Sequence, residues 1–176
     1  MNALREANKL SVEASELLRH PGTSRRLAFS EEVAGLGLEM GRVRPVLHFE
    51  VLLESLIEGI LVGGTVRGVF ALECRRCLKD FEEPFGVELS EVVPYEPQPG
   101  AEDEYQIVGD HVHLEPIVRD TVLLAMPVNP VCKPDCRGLC PECGADRNVT
   151  DCGHAAERVD LRWQPLQQLR IDRTKE

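Results

Sequence analysis

Ile60-Leu-Val-Gly-Gly-Thr-Val-Arg-Gly-Val-Phe-Ala-Leu-Glu-Cys74-Arg-Arg-Cys77-Leu-Lys-Asp-Phe-Glu-Glu-Pro-Phe85-Gly-Val87-Glu-Leu89 is the stretch on which the fold turns. Ile60, Val62, Val66, Phe70, Leu72 and Cys74 fall on one side of a period-two alternation, and Thr65, Arg67 and Glu73 fall on the other. This pattern predicts a long strand that delivers Cys74 at its end. Phe85, Val87 and Leu89 then alternate with Gly86, Glu88 and Ser90, which predicts a return strand. The Cys74-Arg-Arg-Cys77 turn therefore sits at the tip of an antiparallel β-hairpin. Gly63, Gly64 and Gly68 predict a bend or bulge along it.

A second cysteine-rich stretch lies downstream. Between Cys132 and His154 the chain holds five of its seven cysteines, with Pro, Gly, Asp and Asn in the gaps. Such a segment has little apolar surface to bury, so its order must come from another source, and a metal fits. Cys140-Pro-Glu-Cys143-Gly is a tight Cys-x-x-Cys turn, with Cys152 and His154 placed to complete three sulfurs and one nitrogen. Cys74 and Cys77 with Cys132 and Cys136 would give a second set of four. Eight candidate ligands thus make two four-coordinate zinc sites, but the spacing equally allows the two Cys-x-x-Cys turns to share one ion as a zinc ribbon. One or two zinc ions are expected. Seven is an odd number for disulfides, and an intracellular chain disfavours them.

The composition sets limits on partners. Twenty Lys and Arg against thirty Asp and Glu leave a formal charge of −10. From Asp80 to Asp110 the chain carries ten acids and no Lys or Arg. Such a field disfavours unspecific nucleic-acid binding, so any RNA contact must come from local basic patches. The acids read as a solvated surface, or as a contact for a basic protein. No signal peptide is read near the N-terminus, and no apolar run approaches the roughly 20 residues of a membrane span. The chain reads as cytoplasmic, with no membrane partner and no small-molecule substrate.

The remaining stretches complete an α+β chain. Leu10, Ala14, Leu17 and Leu18 predict a short helix within 2–20, capped at Ser11. Leu27 to Phe29 predicts a strand. Pro45 to Leu53 is too rich in β-branched and aromatic residues for a helix. Gly109-Asp110 predicts a two-residue hairpin, with His111 and His113 as edge-strand residues. Glu115-Pro116 opens a helix ended by Pro127 and Pro130. Asp160 caps a last helix with Trp163, Leu166 and Leu169. The expected fold is an antiparallel β-sheet or partly open barrel with a few short helices and a C-terminal zinc knuckle. Its expected divisions are a core over 1–131, a knuckle segment over 132–158 docked on it, and a tail over 159–176.

With these residues in view, the chain resembles the YceD family, the large ribosomal RNA subunit accumulation proteins. The likeness rests on Leu17-Leu-Arg-His-Pro-Gly-Thr-Ser-Arg-Arg26, Cys74-Arg-Arg-Cys-Leu78, the Asp120-to-Pro130 helix and proline stretch, and Cys132-x3-Cys136-x-Gly-Leu-Cys-Pro-x-Cys-Gly144. The family implies a role in accumulation of 23S rRNA, through synthesis, processing or stability, with no enzymatic activity established. Where members often finish the knuckle with Cys-x-Cys, this chain has Cys152-Gly-His154, and histidine still ligates zinc.

Three functions compete on these residues. The first is a non-enzymatic ribosome biogenesis factor whose partners are 23S rRNA or its precursor, or large-subunit ribosomal proteins. Arg75 and Arg76 at the hairpin tip, with Arg25, Arg26, Arg42 and Arg44 behind them, are its candidate phosphate contacts. The second is a zinc-stabilised protein adaptor with no RNA contact. The third, a thiol oxidoreductase using Cys74 and Cys77, lacks the strand-to-helix setting such a motif needs.

Overall fold

Residues 10–32, 43–96 and 105–154 are described in the computed structural model. The alternating run forms β4 (Gly59–Glu73) and the return forms β5 (Asp80–Pro94). They pair antiparallel without interruption from Gly59↔Pro94 to Glu73↔Asp80. Preceding them, β2 (Ser24–Glu32) and β3 (Val46–Ser55) add two antiparallel neighbours. The order β2-β3-β4-β5 is an open four-stranded sheet with β2 and β5 at its edges. Of the two expected forms the sheet is the one built, and the barrel is not closed.

One face of this sheet holds the core. Leu47, Phe49, Val51 and Leu53 of β3, Ile60, Val62, Val66, Phe70 and Leu72 of β4, and Val87, Leu89 and Val93 of β5 are buried together. They are covered by a small sheet of β1 (Ser11–Glu13), β6 (Ile107–Val108) and β7 (His111–His113), and by α1 (Ser15–Arg19) and α2 (Leu114–Ala125). Leu114, Ile117, Val118 and Val122 are the buried side of α2, at the spacing of one helical face. Its start precedes Glu115-Pro116, so Pro116 lies in the first turn, where its missing N–H costs no helical bond.

Three local expectations are revised. In place of one helix through Leu10–His20, Ser11–Glu13 is a strand paired with β7, and only Ser15–Arg19 is helical. Leu10, Val12 and Ala14 bury at a period of two before Leu17 continues at a helical one. The available strand partner therefore overrides helix propensity. β7 is the middle strand of its sheet, so His111 and His113 are not edge residues. No bulge forms at Gly63, Gly64 or Gly68, since every residue of β4 keeps a β5 partner. The last helix expected after Asp160 lies outside the described residues.

A polar contact ties the sheet's near end. Ser55, 2% exposed, holds its hydroxyl 2.9 Å from Tyr95 Oη, and Tyr95 donates to Leu56 O at 3.0 Å. Tyr95→Phe would leave the buried Ser55 hydroxyl without its acceptor and the Leu56 carbonyl without its donor. It should lower the unfolding free energy by about 1 kcal/mol in denaturant titration; an unchanged midpoint would mean water replaces the phenol.

At the far end, β3 stops pairing at His48↔Arg67, while β4 and β5 run on. Phe70 and Phe85 stack there with centroids 4.1 Å apart, and Val43 bridges to Phe70. The hairpin thus projects past β3 and carries its tip to the cysteines.

Candidate metal centre

Each pair of cysteines is placed by its own turn. Cys74 follows β4 directly, and the tip closes with Leu78 N–H on Cys74 O and Cys74 N–H on Lys79 O, both 2.9 Å. Leu78 takes a positive φ of 59° to make that turn. After α2, the chain passes Pro127 and Pro130 and returns to the tip, where Arg75 N–H bonds Pro130 O at 2.9 Å. Cys132 and Cys136 are thereby set beside Cys74 and Cys77.

The four sulfurs form a closed group. Cys74 Sγ is 3.8 Å from Cys136 Sγ, Cys77 Sγ is 3.7 Å from Cys132 Sγ, and all four lie within 4.8 Å of one another. Disulfides would need about 2.05 Å. A metal about 2.3 Å from four sulfurs sets tetrahedral edges of about 3.8 Å, which is the spacing here. Cys74, Cys77 and Cys136 are buried, with Phe81, Val131 and Leu139 packed around them.

The downstream group is built alike but nearer the surface. Cys140, Cys143, Cys152 and His154 also place their donor atoms within 4.8 Å, with His154 Nδ1 3.8 Å from Cys140 Sγ. Gly144, at φ 73°, returns its N–H to Cys140 O at 2.9 Å and so shapes the knuckle. Cys140 is buried while Cys143 and His154 are exposed. Of the two partitions open from the spacing, the donor atoms follow the pair of separate quartets, not the shared ribbon.

Backbone donors prepare these sulfurs for the anionic state. Burial opposes the Cys74 thiolate, but N–H groups of Cys132, Cys77 and Arg76 outweigh it and bring it from 9.0 to about 6. Those of Cys143 and Glu142, acting against burial, draw Cys140 to about 6 as well. Cys132 is pushed up to about 12, by burial first and then by the neighbouring thiols of Cys77, Cys74 and Cys136. Four sulfurs so close cannot all ionise unaided; a cation among them removes that conflict.

Contacts between hairpin tip and knuckles make them one unit. Leu139 N–H bonds Arg76 O at 2.9 Å, and Gly138 lies so close to that carbonyl that a Cβ would stand 2.8 Å from it. Arg76 Nη1 donates to Cys136 O at 2.9 Å and to Pro134 O at 3.4 Å. Lys79 Nζ is 2.6 Å from Asp146 Oδ2, and its ammonium heads the causes that draw Asp146 down to about 2. Asn148 bonds Asp146, Arg137 and the sulfur of Cys136. Asp146 and Asn148 carried no local signal, because in sequence they resemble loop filler, whereas Gly138 stands within the quoted Cys136-x-Gly-Leu-Cys140 motif.

The basic candidates are scattered. Arg75 is exposed at the tip, and among the described residues no acid pairs with it. Arg76 is turned onto the knuckle carbonyls, and Arg44 pairs with Glu82. Arg25 donates to Glu13 O at 2.9 Å. It and Arg26 lie level with Leu53 and Leu52 of β3, hence with Val62 and Gly63 of β4, so some 40 Å of strand separates them from the tip. Arg42 lies outside the described residues.

Residues 62–170, more than half of the chain, match the family model described as large ribosomal RNA subunit accumulation protein YceD. The chain belongs to the YceD family. Its match spans both cysteine quartets. An uncharacterized protein of Mycobacterium tuberculosis is 35% identical over 168 residues, covering 91% of this chain and 81% of that one. YlbN of Bacillus subtilis is 28% identical over 108 residues, 60% of this chain and 63% of its own length. The Arabidopsis thaliana large ribosomal RNA subunit accumulation protein YCED homolog 1, chloroplastic, is 28% identical over 138 residues, 61% of this chain and 43% of the homolog. No solved structure matches this YceD chain. Among its described residues, no helix is long and apolar enough to cross a membrane.

Proposed function

We propose that the chain is a non-enzymatic factor in the accumulation of large-subunit rRNA, 23S rRNA or its precursor, and that each cysteine quartet holds one zinc ion. The observation that carries this is that each set brings four zinc-type donor atoms within 4.8 Å of one another, enough to fill a tetrahedral shell without water or substrate. Thiolate and imidazole are the donors zinc prefers, and a zinc so enclosed supplies rigidity rather than reaction. The Cys74–Cys77 pair is committed to a quartet, which argues against a dithiol oxidoreductase.

What the zinc sites hold rigid is the hairpin tip. The outer face of the four-stranded sheet offers no Phe, Tyr or Trp among its described residues for bases to stack on; it has instead a hollow of about 410 Å³ beside Arg26, Leu52, Gly63 and Thr65. Contact with RNA is therefore assigned to phosphates, with Arg75 as the projecting cation. The zinc-loaded protein should bind a 23S rRNA fragment with affinity that falls steeply with salt. Arg75→Ala should reduce the slope of log affinity against log salt by about 1. A salt-independent affinity would remove the phosphate model.

A second reading has its own support. Asp80, Glu82, Glu83, Glu88 and Glu91 are exposed on the edge strand β5, a surface suited to a basic ribosomal protein. Crosslinking in cells separates the two, by recovery of rRNA or of protein.

A further inference from the structure

We infer that Asn148 couples the two metal sites, so that filling the exposed downstream site tightens zinc binding at the buried upstream one. The inference rests on the zinc reading above. Asn148 lies between Cys143 and Cys152, in the loop that the downstream ligands close. Its side chain nevertheless serves the other site: Nδ2 donates to Cys136 Sγ at 3.4 Å. The orientation of the amide is determined by its neighbours. Oδ1 accepts the Arg137 N–H at 2.9 Å, and a backbone N–H can only donate, so Nδ2 must face the sulfur. Asp146 Oδ1 accepts both Nδ2, at 2.8 Å, and the Asn148 N–H, at 2.9 Å. Asp146 is in turn held by Lys79 of the hairpin tip.

Four thiolates around a divalent ion leave two excess negative charges in a buried pocket, and N–H donors to sulfur stabilise that charge. Losing such an outer hydrogen bond typically weakens metal affinity 10- to 100-fold. Asn148 is a positioning residue of this kind, contributed to one site by the loop of the other. The downstream ligands order that loop, so the downstream metal presents the amide to Cys136. By linkage the upstream metal favours the downstream one by the same factor.

Zinc affinity of the upstream site, measured by competition with a chelator, should fall about 10-fold in Cys143→Ser, which empties the downstream site. Asn148→Ala should fall similarly, and the double variant should be no weaker than either single one. Asn148→Asp keeps the side chain's shape without the donor and should repeat the loss with an unchanged circular dichroism spectrum. Cobalt(II) in the upstream site should show a shifted thiolate charge-transfer band in both Asn148 variants, which a merely structural role would not move. Two zinc ions bound with an upstream affinity indifferent to Cys143→Ser, or losses that multiply in the double variant, would overturn the coupling and leave the zinc reading standing. A wild-type chain that binds no metal would overturn both.

Discussion

Cys74→Ser and Cys143→Ser will each bring the zinc content from two ions per chain to one. The two quartets share no ligand, so removing one donor opens one tetrahedron. A structural zinc contributes on the order of 10 kcal/mol or more of apparent folding free energy in a small module. Its loss should therefore exceed what any single packing change does to this chain. The two variants should differ in consequence. In Cys74→Ser the hairpin tip loses its hold on Cys132 and Cys136, leaving the bonds of Arg75, Arg76 and Lys79 to keep the segment in place. Limited proteolysis should then cut throughout 129–154. In Cys143→Ser cleavage should be confined to 140–154. Metal analysis by mass spectrometry provides the count. A wild-type chain with one zinc, lost in both variants, would establish a shared ribbon instead.

Gly64→Ala should lower the unfolding free energy of the zinc-loaded protein by about 3 kcal/mol, as expected for a forced steric and backbone conflict in a central strand. Gly64 has φ 135°, a conformation side chains rarely adopt, and a Cβ there would run into the carbonyl oxygen of Glu50. That oxygen belongs to the backbone of β3, so it cannot rotate away. The adjacent Gly63 provides the control. A Cβ on Gly63 would find its nearest neighbours, Leu52 O and Leu89 O, at 3.9 Å, an ordinary contact. Gly63→Ala should stay within about 0.5 kcal/mol of wild type. Equal midpoints for the two variants in denaturant titration would show that β4 relaxes at Gly64.

The strands and the helix whose patterns are local could be read directly from residue order. Alternation from Ile60 to Leu89 specified the hairpin, because a strand's side chains switch faces at every residue and burial marks one face. The α2 segment declared itself by its helical apolar spacing and by Pro at each end. Cysteine spacing likewise identified all eight candidate donors, since a tetrahedral site demands tight turns that Cys-x-x-Cys and Cys-x-His provide. In the opening segment the pattern was mixed. Leu10 to Leu17 carries both periods, and the choice between them fell to β7, about 100 residues away.

Which donors join was set by the folded chain. Cys74 and Cys136 are 62 residues apart, and no spacing rule reaches across a helix and two proline turns to pair them. The same holds for Asn148 beside Cys136, for Arg76 turned onto Cys136 O, and for Gly64 beneath Glu50 O. Each depends on where one part of the chain meets another. Periodicity records which face of an element is buried but not what it is buried against, and the two candidate metal sites of this protein lie in that second fact.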